Sequence, residues 1–113
     1  MTFDKSFSIL EQIQLLQRSI LVQSFAYYEL NENILLDFQY DADARQLEEL
    51  AKEYPEEFKK SRYYEYFNDF YDASEHSTSG FDLLERVRVA DDQLHRYLHM
   101  DAVFALDLKQ RLG

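Results

Sequence analysis

Five residues of the chain combine aromatic rings and carboxylates at a spacing that could bind a ligand: Tyr27, Tyr28, Asp37, Tyr40 and Asp41. Tyrosine faces attract a flat cationic ring by cation–π contact worth about 0.5–2 kcal/mol, and ionised carboxylates accept hydrogen bonds from amide and hydroxyl groups. The five residues span the end of one predicted helix and the start of the next. The pattern therefore predicts a site for a flat, positively charged ring at the corner between two helices.

A purely structural role for the same residues is the alternative. Asp37 suits the N-cap of the second helix, and Tyr40 and Asp41 would then lie over its first turn. In that interpretation the tyrosines fill the interface between the helices, while Asp41 adds a favourable negative charge at a helix start. The residue types alone leave both interpretations open.

The elements that would position these residues are helices throughout. Apolar residues recur at intervals of three and four, and the sequence contains no strand-like alternation bounded by glycine or proline. The first helix is predicted at about residues 7–30 and the second at 38–54, with a turn at 31–33 and a stop or restart at Pro55. We therefore expect an all-α fold that opens with a helical hairpin and continues with two to three further helices.

The C-terminal part of the chain is predicted to form two helices after a loop. Residues 72–80 have the composition of a loop, and the helical pattern resumes from Phe81. A break near Ala90, where Asp91 or Asp92 could cap a new helix, divides the remaining residues in two.

Length and composition predict one small folded domain over residues 1–113, with the hairpin at 9–55 and the other helices at 56–113. The 113 residues suffice for one modest core, and the 46% hydrophobic content argues against a disordered chain. The formal net charge of −10 repels phosphate backbones. Direct binding to nucleic acid is therefore not expected.

The absence of cysteine and of long apolar segments from the sequence predicts a cytoplasmic protein without membrane contact. The chain has no cysteine, which excludes disulfides and thiolate zinc sites and is typical of a reducing compartment. No apolar run approaches the roughly 20 residues that a membrane span needs, and the first residues lack the pattern of a signal peptide.

Negative charge is concentrated between residues 29 and 57, where ten acidic residues accompany two basic ones. Such a run is usually a solvated face, but clustered carboxylates can also replace nucleic acid phosphates on a basic partner.

Not all seven aromatic residues between 58 and 71 fit one buried helical face, so some are expected to be exposed. These rings would form a protein-contact surface, or they are instead packing and rim residues of a small core. Surplus rings are also compatible with a homodimer. The candidate partner-binding residues are Glu48, Glu49, Glu53, Tyr63, Tyr64 and Tyr66.

A longer pattern surrounds the tyrosines and aspartates: a Tyr-Tyr pair, a short turn, Asp-x-x-Tyr-Asp and then Leu47-Glu48, Leu50 and Tyr54-Pro55. This pattern resembles the small N-terminal Ia domain of NAD-dependent DNA ligases, over about residues 9–55. In that family the domain recognises the nicotinamide mononucleotide half of NAD. Tyrosines lie against the nicotinamide, and aspartates bond to its amide and to the ribose.

The resemblance implies a role for each matching position. Tyr27 and Tyr28 would make stacking or edge contacts with the nicotinamide, and Tyr40 would be a stacking partner. Asp37 and Asp41 would accept hydrogen bonds. The implied ligand is nicotinamide mononucleotide or NAD, and no required cofactor is predicted.

No catalytic residue and no metal site is predicted. A ligase attaches AMP to the lysine of a Lys-x-Asp-Gly motif, and this sequence contains no Asp-Gly. Asp91, His95 and His99 are spaced to share one helix face, but histidines at this spacing commonly occur without metal. We therefore expect no enzymatic activity.

Two non-catalytic functions follow from these features. The first is a binding module on a ligase Ia-like scaffold, which holds a nicotinamide-type nucleotide or docks to a protein partner. The alternative is a small phage-type inhibitor, similar to anti-CRISPR proteins. Its acidic, DNA-mimicking surface and exposed tyrosines would occupy the basic channel of a nucleic-acid-processing enzyme.

Overall fold

The computed structural model describes residues 1–34, 37–69 and 79–112, and over these residues it contains six α-helices and no strand. The predicted all-α fold is confirmed. No helix in the described part of the chain is long and apolar enough to cross a membrane. The helices are α1 (Ile9–Glu29), α2 (Asp37–Glu53), α3 (Pro55–Lys60), α4 (Tyr64–Phe67), α5 (Gly80–Ala90) and α6 (Asp92–Leu112).

Helix α1 is the centre of the fold because α2, α3, α5 and α6 all pack against it. A capping box defines its start. The Ser8 hydroxyl accepts a hydrogen bond from the backbone N–H of Glu11 at 3.1 Å, and the Glu11 carboxylate accepts one from the N–H of Ser8 at 3.2 Å. Apolar side chains point to more than one neighbouring helix, and the fully buried ones are Ile13, Leu16, Ile20, Leu21 and Ala26.

A turn follows α1 and closes the end of that helix. Asn31 has a left-handed backbone with φ of 54°, a conformation that asparagine adopts more readily than most residues. The N–H groups of Leu30 and Glu32 both donate to the carbonyl of Ala26, at 3.2 and 2.9 Å, and so close the helix end. The predicted turn is confirmed, and α2 begins at Asp37, one residue before the predicted start.

Two tyrosines that were predicted to be exposed for partner binding are buried instead. Tyr63 and Tyr66 are 6% and 4% exposed and belong to the core. In the described residues, four helices follow the hairpin rather than the predicted two to three. The chain after Pro55 forms two short helices, and the extended backbone of Ser61 redirects it between them. Of the seven aromatic residues between 58 and 71, the buried ones are Phe58, Tyr63, Tyr66 and Phe67, while Phe70 and Tyr71 lie outside the described part of the chain. Tyr64 is half-buried.

The predicted break between the last two helices is confirmed. Helix α5 ends at Ala90, and α6 begins at Asp92. The Asp91 carboxylate accepts a hydrogen bond from the N–H of Leu94 at 3.0 Å, which is the geometry of an N-cap.

The start of α5 differs by one residue from the prediction. Gly80 is the first helical residue rather than the end of a loop. The cause is a second capping box, in which the Ser79 hydroxyl accepts from the N–H of Asp82 at 3.2 Å and the Asp82 carboxylate accepts from the N–H of Ser79 at 3.3 Å. Residues 72–78 of the predicted loop lie outside the described part of the chain.

Candidate functional site

The C-terminal end of α1 and the first turn of α2 bring three of the predicted site residues together. Tyr27 and Tyr28 form an edge-to-face pair, with ring centroids 4.8 Å apart and an interplanar angle of 84°. Both are about half exposed, at 53% and 46%. Tyr40 is half-buried on α2, with Tyr28 within electrostatic reach of its hydroxyl.

The Tyr40 hydroxyl is anchored to α1. It lies 3.4 Å from the Oγ of Ser24, close enough for a weak hydrogen bond in which either hydroxyl donates. Burial raises the pKa of the Tyr40 phenol, the contact with Ser24 acts in the opposite direction, and Tyr28 and Asp41 add to the rise. Tyr40 therefore keeps its proton at neutral pH and can donate a hydrogen bond.

The two aspartates of the predicted site lie on the first turns of α2. Asp41 is exposed, next to Tyr40 in the chain, and its carboxylate faces solvent as a hydrogen-bond acceptor. Asp37 is the first residue of α2, and its side chain lies outside the described part of the structure. The roles assigned to both aspartates stay predictions.

Two residues of α5 complete this corner, and neither was predicted from the sequence. The Phe81 ring is 52% exposed and lies 5.9 Å from the Tyr28 ring at 67°. Gly80 comes so close to α1 that a Cβ atom there would lie 2.5 Å from the Oγ of Ser24 and 3.1 Å from the Cε2 of Tyr28. A glycine at a helix start is a weak signal of such an approach, but nothing in the sequence indicates that α5 reaches Tyr28.

The two histidines that share a face of α6 pack on an aromatic ring of α1. The rings of His95 and His99 lie 5.0 and 5.4 Å from that of Phe25, and His99 is stacked on it. The Nε2 atom of His95 is 3.5 Å from a carboxylate oxygen of Glu29. Within residues 1–34, 37–69 and 79–112, no group of three or more His, Asp or Glu side chains is arranged to hold a metal ion.

The predicted partner-binding acids lie on the outer side of α2. Glu49 and Glu53 are exposed, and Glu48 is half-buried and forms an ion pair with Lys52 at 2.8 Å. Asp43 is an exception among the acids of this helix, since it is buried. An acidic outer face is typical of an amphipathic surface helix, so partner binding by these residues stays a prediction.

A comparison with known families covers the helical hairpin and the aromatic segment after it. Residues 6–67, more than half of the chain, match the family described as DNA ligase-like, N-terminal NAD+-binding domain. The chain belongs to this family. The resemblance inferred from the tyrosine and aspartate pattern is thereby confirmed.

Two DNA ligases are similar to part of this member of the ligase-like NAD+-binding family. The DNA ligases of two Porphyromonas gingivalis strains, ATCC 33277 and W83, are each 44% identical to the chain over 45 residues. That segment is 40% of this chain and 7% of each ligase, so the chain spans a small part of the length of the relatives it matches. No solved structure matches the chain significantly. Helices α5 and α6 lie outside the residues that the family match covers.

Proposed function

We propose that this chain binds the nicotinamide half of NAD, or nicotinamide mononucleotide, at the corner formed by Tyr27, Tyr28, Tyr40 and Asp41. The observation that carries this proposal is the half-exposed edge-to-face pair of Tyr27 and Tyr28, with Tyr40 beside it, within the residues matched by an NAD+-binding family. The oxidised nicotinamide ring is flat and positively charged, so tyrosine faces attract it.

Each group at the corner has a distinct part in this proposal. The tyrosine faces contact the cationic ring, and the protonated Tyr40 hydroxyl donates a hydrogen bond to an oxygen of the ligand. The exposed Asp41 carboxylate accepts hydrogen bonds from an amide or from ribose hydroxyls. The four residues present therefore suit the chemistry of this ligand.

The charge of the chain predicts which form of the ligand binds best. The net charge of −10 attracts the cationic ring but repels the phosphate. Nicotinamide riboside, which carries the ring charge without a phosphate, should therefore bind at least as tightly as the mononucleotide. A dihydronicotinamide, whose ring is neutral, should bind more weakly than either.

An NMR titration with nicotinamide mononucleotide tests the proposal. Resonances of Tyr27, Tyr28 and Tyr40 should shift, and Tyr28→Leu or Asp41→Asn should raise Kd by roughly 2- to 30-fold, which corresponds to a loss of about 0.5–2 kcal/mol. Tyr97→Leu is the matched control because Tyr97 is a half-exposed tyrosine on α6, outside the corner.

Two results would contradict nicotinamide binding. The first is an absence of shifts at the three corner tyrosines with millimolar ligand. The second is a loss of affinity in the Tyr97→Leu control equal to that in the corner variants, since this would show that binding does not depend on the corner.

We also propose that the role is binding without catalysis. Support comes from the sequence, which has no Lys-x-Asp-Gly motif to accept AMP. After incubation with NAD and magnesium, mass spectrometry should find the chain unmodified. Detection of a chain with one AMP attached would contradict this proposal and would leave the binding proposal intact.

A second candidate function is docking to a basic protein, such as a nucleic-acid-processing enzyme blocked by a phage-type inhibitor. The exposure of Glu49 and Glu53 on the acidic side of α2 favours it. A partner recovered from a host lysate should bind less tightly as salt rises, and Glu49→Lys with Glu53→Lys should abolish the binding. The matched control places the same two reversals at the exposed Glu32 and Glu65, and equal loss in this control would contradict a role for α2.

A further inference from the structure

An apolar stripe runs along the outer face of α6. Each of its residues lies three or four positions from another member, so that together they occupy one side of the helix, opposite the buried Leu98 and Ala102. Soluble proteins seldom expose a contiguous row of large apolar side chains unless it is a contact surface. The stripe consists of Tyr97, Met100, Val103, Phe104 and Leu108, which are 48, 65, 48, 64 and 41% exposed.

Helix α6 is also an electrically neutral part of a strongly acidic chain. The whole chain has a formal net charge of −10, whereas acids and bases balance within residues 92–112. Two copies that approach through the acidic side of α2 repel each other, and an approach through α6 avoids that local repulsion. The balanced residues are Asp92, Asp101 and Asp107 against Arg96, Lys109 and Arg111.

The charged residues at the two ends of the stripe would face opposite charges if two α6 helices packed side by side in antiparallel orientation. Asp92 and Arg96 precede the apolar residues and form an ion pair at 2.7 Å, and Asp107 and Arg111 follow them with a pair at 3.1 Å. If a second α6 lies antiparallel across a two-fold axis at mid-helix, Asp92 faces Arg111 of the second copy and Arg96 faces Asp107. A parallel arrangement would instead place equal charges opposite each other.

We propose that two copies of this chain associate through an antiparallel pairing of their α6 helices. The apolar stripe forms the centre of the contact, and the four charges form networks at its two ends, as in the apolar core and polar rim of two-fold interfaces. The helix has 21 residues and is therefore about 31 Å long, so the contact can extend across one side of the molecule. The pairing does not depend on the nicotinamide site, because it uses a different helix.

Sedimentation velocity over micromolar to millimolar concentrations tests for the dimer. The unaltered chain should shift from monomer to dimer, and Met100→Asp or Phe104→Asp should remain monomeric with an unchanged helical circular dichroism spectrum. The control is Val89→Asp on α5, because Val89 is 78% exposed and lies off the stripe. A monomer at every concentration, or loss of the dimer in the control as well, would overturn the proposal.

A charge exchange tests the antiparallel orientation. Arg96→Glu and Asp107→Arg should each weaken the dimer about tenfold, since each change places like charges together at two symmetry-related positions. The double variant restores opposite charges across the axis and should return the dissociation constant to within about threefold of the original. Arg45→Glu is the control for Arg96→Glu, since it makes the same change in net charge on α2. Failure of the double variant to recover the dimer would refute the antiparallel pairing.

Discussion

Helix propensity and packing predict opposite changes in stability for the substitution Gly80→Ala, because Gly80 lies close to α1. Alanine is more favourable than glycine in a helix by up to about 1 kcal/mol, so propensity alone predicts that Gly80→Ala stabilises α5. The backbone φ of Gly80 is not positive and imposes no further penalty on alanine. Packing predicts the opposite sign, and the measurement therefore decides which effect is larger.

The contacts of the added methyl group determine the size of the effect. Its carbon would lie 2.5 Å from the Oγ of Ser24, 3.0 Å from the Cβ of Ser24 and 3.1 Å from the Cε2 of Tyr28. The hydroxyl of Ser24 can rotate away, but its Cβ is fixed to the backbone of α1. Either α5 or the Tyr28 ring must therefore move. Such overpacking costs about 1–3 kcal/mol, which exceeds the gain in helix propensity.

Thermal and urea unfolding monitored by circular dichroism measure this balance. We expect Gly80→Ala to be destabilised by about 1–2 kcal/mol and to melt roughly 5–15 °C lower. In a Ser24→Ala background the closest clash is absent, so Gly80→Ala should cost less there than in the unaltered chain. If Gly80→Ala is as stable as the unaltered chain, or more stable, the inferred packing of α5 on α1 is wrong. If the Tyr28 ring is the part that moves, the variant should also bind nicotinamide mononucleotide less tightly; unchanged affinity would indicate that α5 moves instead.

Three further predictions concern stability. Burial raises the pKa of Tyr66 to about 12, so the folded state favours the neutral phenol. This stabilisation is fully present at pH values below the ordinary tyrosine pKa of 10.0, and it disappears as the pH rises through the pKa of the folded state. Stability should therefore fall less between those pH values in Tyr66→Phe, as urea titrations at each pH would show. Arg86 donates hydrogen bonds to the Tyr66 carbonyl at 2.9 Å and to both Asp69 carboxylate oxygens at 2.7 and 2.9 Å. Arg86→Met should therefore lower the free energy of unfolding in urea by about 1–3 kcal/mol. The loss should be smaller in Arg86→Lys. The buried Gln17 amide donates to the Ser61 hydroxyl at 2.9 Å, and Ser61→Ala should cost about 1–3 kcal/mol by leaving that amide unpaired. Combining it with Gln17→Leu removes both polar groups, so the double variant should recover much of the loss, and a fully additive loss would contradict this reasoning.

Features that depend on neighbouring residues in the chain could be predicted from the sequence. The turn at 31–33, the restart at Pro55 and the break at Asp91 were all correct, because each follows from local backbone chemistry. The apolar periodicity of α1 likewise predicted a long first helix. The tyrosine and aspartate pattern was sufficient to indicate the ligase-like NAD+-binding family.

Features that depend on residues far apart in the chain could not be predicted in the same way. The burial of Tyr63 and Tyr66 depends on the change of direction at Ser61, which the aromatic spacing does not encode. The contact of Gly80 and Phe81 with the tyrosine corner depends on how α5 packs against α1.

By itself, the sequence determined the helical class, most helix boundaries and the family, because hydrophobic periodicity, capping residues and short motifs act over a few neighbouring positions. Only the tertiary structure decided which aromatic rings are buried, that α5 closes one side of the tyrosine corner, and that the apolar residues of α6 form an exposed stripe. These outcomes depend on which helix faces meet, and that choice is made by packing among all the helices at once.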